Sequence, residues 1–153
     1  MENAGEITRR KFIKVTGLLA GSAAIGSTTF LVGCGFPAAL DIDTDAYILN
    51  QNTVIVTLAK VPQLFRVGSS AAILDDGDKI YLIIMKTGED RFAVAFNQCP
   101  HREKPLGYDH ESELLICASG KSKFRLDGSI VTGPAENPLP IYQWRLEPGR
   151  LII

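Results

Sequence analysis

From residue 53 onward the chain consists of short apolar runs broken by polar turn signals about every ten residues. Thr53 to Leu58 alternates apolar and polar positions, as a half-buried strand does, and Ser70 to Leu74 repeats the pattern more weakly. Lys79 to Met85 reads as a continuous apolar strand, entered by the turn Asp75-Asp76-Gly77-Asp78 and left by Thr87-Gly88-Glu89-Asp90. Arg91 to Phe96 and Leu114 to Cys117 are further strands, and Asp127-Gly128 is a hairpin signal. Glu147-Pro148-Gly149 closes a last hairpin into Leu151 to Ile153. No segment beyond residue 40 has a helical period, so the pattern predicts an almost entirely β, small antiparallel domain over residues 53–153. Residues 41–52 are acidic and polar and read as a short tether.

The first forty residues follow a different rule. Thr8-Arg9-Arg10-Lys11-Phe12-Ile13-Lys14 fits a twin-arginine export signal, and no charged residue follows from Val15 to Leu40. That apolar stretch is long enough for a membrane-crossing helix, which takes roughly 20 residues. Leu31-Val32-Gly33-Cys34 matches the signature at which bacterial lipoproteins are cleaved and acylated, so Cys34 is a candidate lipidation site. An uncleaved anchor is the alternative, with Gly17-Leu18-Leu19-Ala20-Gly21 offering a small-residue face to a neighbouring helix. Simple cleavage of the signal is the third outcome; either of the first two leaves the domain attached to a membrane, and the basic residues before the apolar stretch place it on the extracytoplasmic side.

Composition narrows the function classes. The chain has 153 residues, 46% of them hydrophobic, and a net charge of −1. That permits one domain with a core of its own and gives no argument for nucleic acid as a partner. Three cysteines are too few for a disulfide scaffold. There is no glycine-rich phosphate loop and no nucleophile–base constellation.

The chemistry concentrates between Cys99 and Phe124. Cys99-x-His101 is followed, after 15 residues, by Cys117. Two thiols and an imidazole in two short loops suggest a soft-metal site. Cys99-x-His101…Cys117, the run Ser122 to Ser129, and Gly133-Pro134-Ala135 with Pro138-Leu139-Pro140-Ile141-Tyr142 resemble the Rieske iron–sulfur proteins of quinol–cytochrome and arsenite-oxidase type. The resemblance implies a β domain with an inserted two-loop subdomain. It also implies a [2Fe–2S] cluster whose inner iron is held by two cysteines and outer iron by two histidines. On that alignment Cys99 and Cys117 hold the inner iron and His101 the outer one. Ser122 lies where a family serine hydrogen-bonds a bridging sulfide, and Gly133-Pro134 begins the loop that covers the cluster.

The pattern breaks at one position. Gly120 stands where the family has its second histidine, and Lys121 stands where it has glycine. Lys104 and Ser119 occupy the positions of the cysteines that bridge the loops in quinol-type relatives, so that bridge is absent. His110, between Asp109 and Glu111, is the remaining histidine, and replacing the lost ligand from there requires a rearranged loop. Three ligands of four leave three readings open. The chain is a structural subunit of a respiratory or photosynthetic electron-transfer complex, an electron carrier with an incomplete cluster, or a protein with an open iron site. In the first two it is at most an oxidoreductase subunit without its own substrate site. Without iron, Cys99 and Cys117 are placed to join in a disulfide.

Overall fold

The computed structural model describes residues 35–153. The twin-arginine segment, the apolar stretch as far as residue 34 and Cys34 itself lie outside the described residues. Among the described residues no helix is long and apolar enough to cross a membrane.

Twelve strands run in chain order among the described residues: β1 (Leu40–Asp41), β2 (Tyr47–Asn50), β3 (Thr53–Thr57), β4 (Ser70–Asp75), β5 (Ile80–Gly88), β6 (Arg91–Phe96), β7 (Leu106–Asp109), β8 (Leu114–Cys117), β9 (Lys123–Arg125), β10 (Ile130–Thr132), β11 (Arg145–Glu147) and β12 (Arg150–Ile152). They form three four-stranded sheets: a middle sheet β1-β4-β5-β6, a base sheet β11-β12-β3-β2 and a loop-bearing sheet β10-β9-β8-β7. Every pairing is antiparallel except β1 with β4, where Leu40 lies beside Ala71. Single-turn 3-10 segments at Thr44–Ala46, Leu58–Lys60 and Pro62–Phe65 are the helical content among the described residues. The all-β expectation from the sequence therefore holds.

The continuous apolar run in β5 has a direct structural cause. Successive side chains of a strand point to opposite faces. Leu82 and Ile84 enter one core with Val56, Tyr47, Leu151 and Phe92, whereas Ile83 and Met85 enter a second core with Leu106, Leu115, Phe124, Cys99 and Cys117. A strand covered on both faces has no position left for a polar residue, so its alternation disappears. Strand β6 divides in the same way, with Val94 in the first core and Ala95 in the second.

Residues 41–52, expected as a tether, are folded instead. Strand β2 pairs along its length with β3, from Tyr47 beside Val56 to Asn50 beside Thr53. The polar composition misled because this is an edge strand: Tyr47 turns inward and is buried while Ile48 and Asn50 face solvent. Residues 35–39, expected to end the apolar anchor, lie against the loop-bearing sheet, with Phe36 and Pro37 on Gly107 and the Ala39 N–H donating to the Leu106 carbonyl at 2.9 Å. Turn chemistry agrees with the sequence elsewhere. The Asp127 carboxylate accepts from the Ser129 N–H at 2.9 Å, and the hairpin β11–β12 turns at Pro148-Gly149 with Glu147 beside Arg150.

One side-chain bond ties the base sheet to the middle sheet. The Tyr47 hydroxyl donates to the Asp75 carboxylate at 3.0 Å. Burial first, and the Asp75 bond second, push the Tyr47 phenol up to about 12. A phenol whose pKa is higher in the fold than in the unfolded chain stabilises fully below about pH 10 and loses that contribution as pH rises toward 12. Thermal melts at pH 9 and pH 11 are therefore expected to show a loss of stability that is smaller in Tyr47→Phe; an equal loss in the variant contradicts this assignment.

Candidate metal centre

The two loops lie at the same end of the loop-bearing sheet, one entering β7 at Leu106 and the other leaving β8 at its partner Cys117, and are closed by backbone hydrogen bonds. In the first, the Arg102 and Glu103 N–H groups donate to the Cys99 carbonyl at 3.1 and 2.8 Å, and the Cys99 N–H donates to Lys104 O at 2.9 Å. Glu103 takes a left-handed conformation, φ 54°, to make that turn. In the second, the Gly120 N–H donates to the Cys117 carbonyl at 2.6 Å and the Cys117 N–H to Ser122 O at 3.0 Å. A cross-link between them, Ala118 N–H to Pro105 O at 2.9 Å, joins the loop bases. Consecutive residues 104 and 105 thus bond to Cys99 on one side and to the residue after Cys117 on the other.

These bonds bring the two cysteines together. Both are fully buried in the second core, and neither is in a disulfide. Burial pushes the Cys99 thiol up; the His101 backbone N–H directed at its sulfur acts against this, and the adjacent Cys117 thiol adds to the rise. The Cys99 thiol is therefore disfavoured as a thiolate while the loops stay closed. The Cys117 sulfur also contacts the Ser119 hydroxyl at 3.0 Å. Ser122 is fully buried, and its hydroxyl, which faces the Cys99 sulfur, has no partner in hydrogen-bond geometry.

His101 follows Cys99 in the first turn and is half-buried, with Nδ1 enclosed and without a hydrogen-bond partner. Gly120 sits at φ 72°, left-handed, at the exposed tip of the second loop, so the position carries no side chain and a turn that favours none. Lys121 beside it is exposed. Gly133, φ 105°, packs so closely on the second loop that a β-carbon there would meet the Lys121 carbonyl oxygen and the Ser122 backbone. Pro134 follows at the surface, and the segment then returns to β6 through the Pro140 carbonyl, which accepts from Phe96 N–H at 2.9 Å. His110 is held elsewhere, its Nδ1 3.2 Å from the Tyr108 hydroxyl and its ring against Gly68.

Cys99, Cys117, Ser122 and the Gly133 backbone thus converge. His101 is adjacent in the chain, but among the described residues no three His, Cys, Asp or Glu side chains gather closely enough to hold a metal ion. The sequence reading overlooked Asn97. It is fully buried, its N–H donates to Tyr81 O at 2.9 Å, and its side-chain oxygen accepts from Leu106 N–H at 2.8 Å. That bond fixes the start of the first loop to the strand that follows it. A polar residue ending an apolar strand two positions before Cys99 was the available signal.

The described residues thus form a small β domain whose sheets present two short loops over a buried thiol pair. The chain belongs to the Rieske family: the model of the Rieske [2Fe-2S] domain matches residues 56–143. The chain is 25% identical over 100 residues to the cytochrome b6-f complex iron-sulfur subunit of Chlorobaculum tepidum, a match covering 61% of this chain and 55% of that subunit. It therefore spans about half the length of that relative. Among solved structures, the ferredoxin of carbazole 1,9a-dioxygenase from Nocardioides aromaticivorans superposes with a TM-score of 0.52 at 19% identity, covering 64% of this chain and 91% of that one. The plasma membrane Rieske protein PetC3 of the cyanobacterium Synechocystis superposes with a TM-score of 0.44 at 16% identity, covering 52% of this chain and 82% of that one.

The family's [2Fe–2S] cluster can be tested against these residues. Two adjacent free thiols and an unpartnered Ser122 hydroxyl fit its inner half. The outer half has His101 and, at the second ligand position, Gly120, with His110 bonded to Tyr108 instead of reaching the loops. The residues present do not complete the four-ligand set.

Asn97→Ala leaves the buried Leu106 N–H without an acceptor, which costs about 1–3 kcal/mol. Chemical denaturation is expected to show that loss, together with faster amide exchange at Leu106 than elsewhere in β7; unchanged exchange there would contradict the clamp.

Proposed function

We infer that this protein is a Rieske-fold subunit on the exported side of a membrane electron-transfer complex, retained for its shape and with its own redox function impaired. Gly120 carries the reading. An iron needs a donor atom at that corner, and glycine supplies none, in a left-handed turn that disfavours replacement. Membership of the family and the likeness to a cytochrome b6-f iron-sulfur subunit support the setting. Attachment to the membrane through Cys34 or a retained apolar helix completes the proposal. Partner subunits would be recognised by the loop-bearing face and no substrate would be turned over.

A second reading is an electron carrier with the cluster on Cys99, His101 and Cys117. The enclosed, unpartnered Nδ1 of His101 and the two unpaired thiols favour it. Iron and acid-labile sulfide analysis of the purified full-length protein, beside its visible spectrum, separates the two. Far less than one cluster per chain is expected; two irons and two sulfides per chain with Rieske-type absorption overturn the first reading.

Gly120→His restores the missing donor at a cost of about 1–2 kcal/mol for a side chain in the left-handed region. Iron content is expected to rise but to stay below full occupancy, because the turn and Lys121 resist the new ring. Full occupancy in the single variant would show that the loop imposes no such barrier.

A further inference from the structure

The buried thiol pair has chemistry of its own. Cys99 and Cys117 are fully enclosed, unpaired and in side-chain contact within the second core, at the bases of two loops whose own backbones are joined by Ala118 N–H to Pro105 O. Among the described residues no covalent bond or ion pair links the loops, and Lys104 and Ser119 are not cysteines. We propose that Cys99 and Cys117 are a disulfide site, oxidised by thiol–disulfide exchange to a covalent staple between the two loops. This rests on the reading that iron does not occupy the pair.

The exchange balances with an external disulfide, either a small one or one carried by a thiol oxidoreductase. One cysteine thiolate attacks that disulfide and releases one external thiol. The second thiolate then attacks the mixed disulfide, forming the Cys99–Cys117 bond and releasing the other external thiol. The pair loses two protons and two electrons, and the external disulfide becomes two thiols. Burial means that the exchange occurs before the loops close or when they open, so it is slow in the folded protein. Once formed, the bond closes a loop of 18 residues in sequence separation, enough to limit the unfolded chain and raise the melting temperature.

The test uses metal-free, full-length protein incubated with oxidised glutathione, then denatured, alkylated and mapped by mass spectrometry. The expected product is one peptide pair joined through Cys99 and Cys117, with a melting temperature that falls by about 10 °C on reduction. The separate Cys99→Ser and Cys117→Ser variants are expected to lose that redox-dependent shift. Should the variants fail to fold, the wild-type mapping decides alone. Both cysteines alkylated without prior reduction, or Cys34 joined to either of them in place of the pair, overturns the proposal. That outcome leaves the cluster-free reading standing, whereas two irons per isolated chain overturns that reading and leaves the metal-free thiol test valid.

Discussion

Burial of the middle sheet on both faces is the constraint from which the rest of the domain follows. Strand β5 sends Leu82 and Ile84 toward the base sheet and Ile83 and Met85 toward the loop-bearing sheet. Each large apolar side chain so enclosed contributes about 1.5–3 kcal/mol. The base sheet and the loop-bearing sheet therefore have the same central strands as their floor. A change in β5 on one face would be felt by the base, and on the other by the two cysteines, which are members of the second core and not additions to its surface.

That placement explains the division within the candidate site. Its inner half is built by packing and backbone bonds: the thiols sit among Leu106, Leu115 and Phe124, and turns closed on the Cys99 and Cys117 carbonyls fix the chain around them. Its outer half depends on side chains at the loop tips, where nothing in the core dictates identity. His101 is present there and a second donor is not, because Gly120 occupies the exposed, left-handed tip. The loops can thus keep their shape whatever residues stand at their tips, since the free energy that shapes them comes from below. Gly133, pressed on the Lys121 and Ser122 backbone, contributes to the same shape without touching a metal.

The strands with strong apolar content were legible in order: Thr53–Thr57, Ser70–Asp75, Ile80–Gly88, Arg91–Phe96 and Leu114–Cys117 lie where their patterns placed them. Strands β9, β10 and β11 were marked only by the hairpin turns at Asp127-Gly128 and Glu147-Pro148-Gly149, and β7 not at all, because three or four residues carry too little periodicity of their own to separate a strand from a turn. Strand β2 escaped notice for a different reason. It is an edge strand with exposed Ile48 and Asn50, and its partner β3 supplies the hydrogen bonds that local composition did not promise.

The sequence by itself determined the fold class, the Cys-x-His…Cys spacing and the glycine at position 120, because each depends on residue type and on separation along the chain. Tertiary structure alone decided that the thiols meet in a dry core, that Asn97 clamps the first loop, that His110 is bound to Tyr108 and that residues 35–39 lie on the loop-bearing sheet. Those are contacts between segments that no local pattern relates, and they exist only once the two cores have closed on either side of β5.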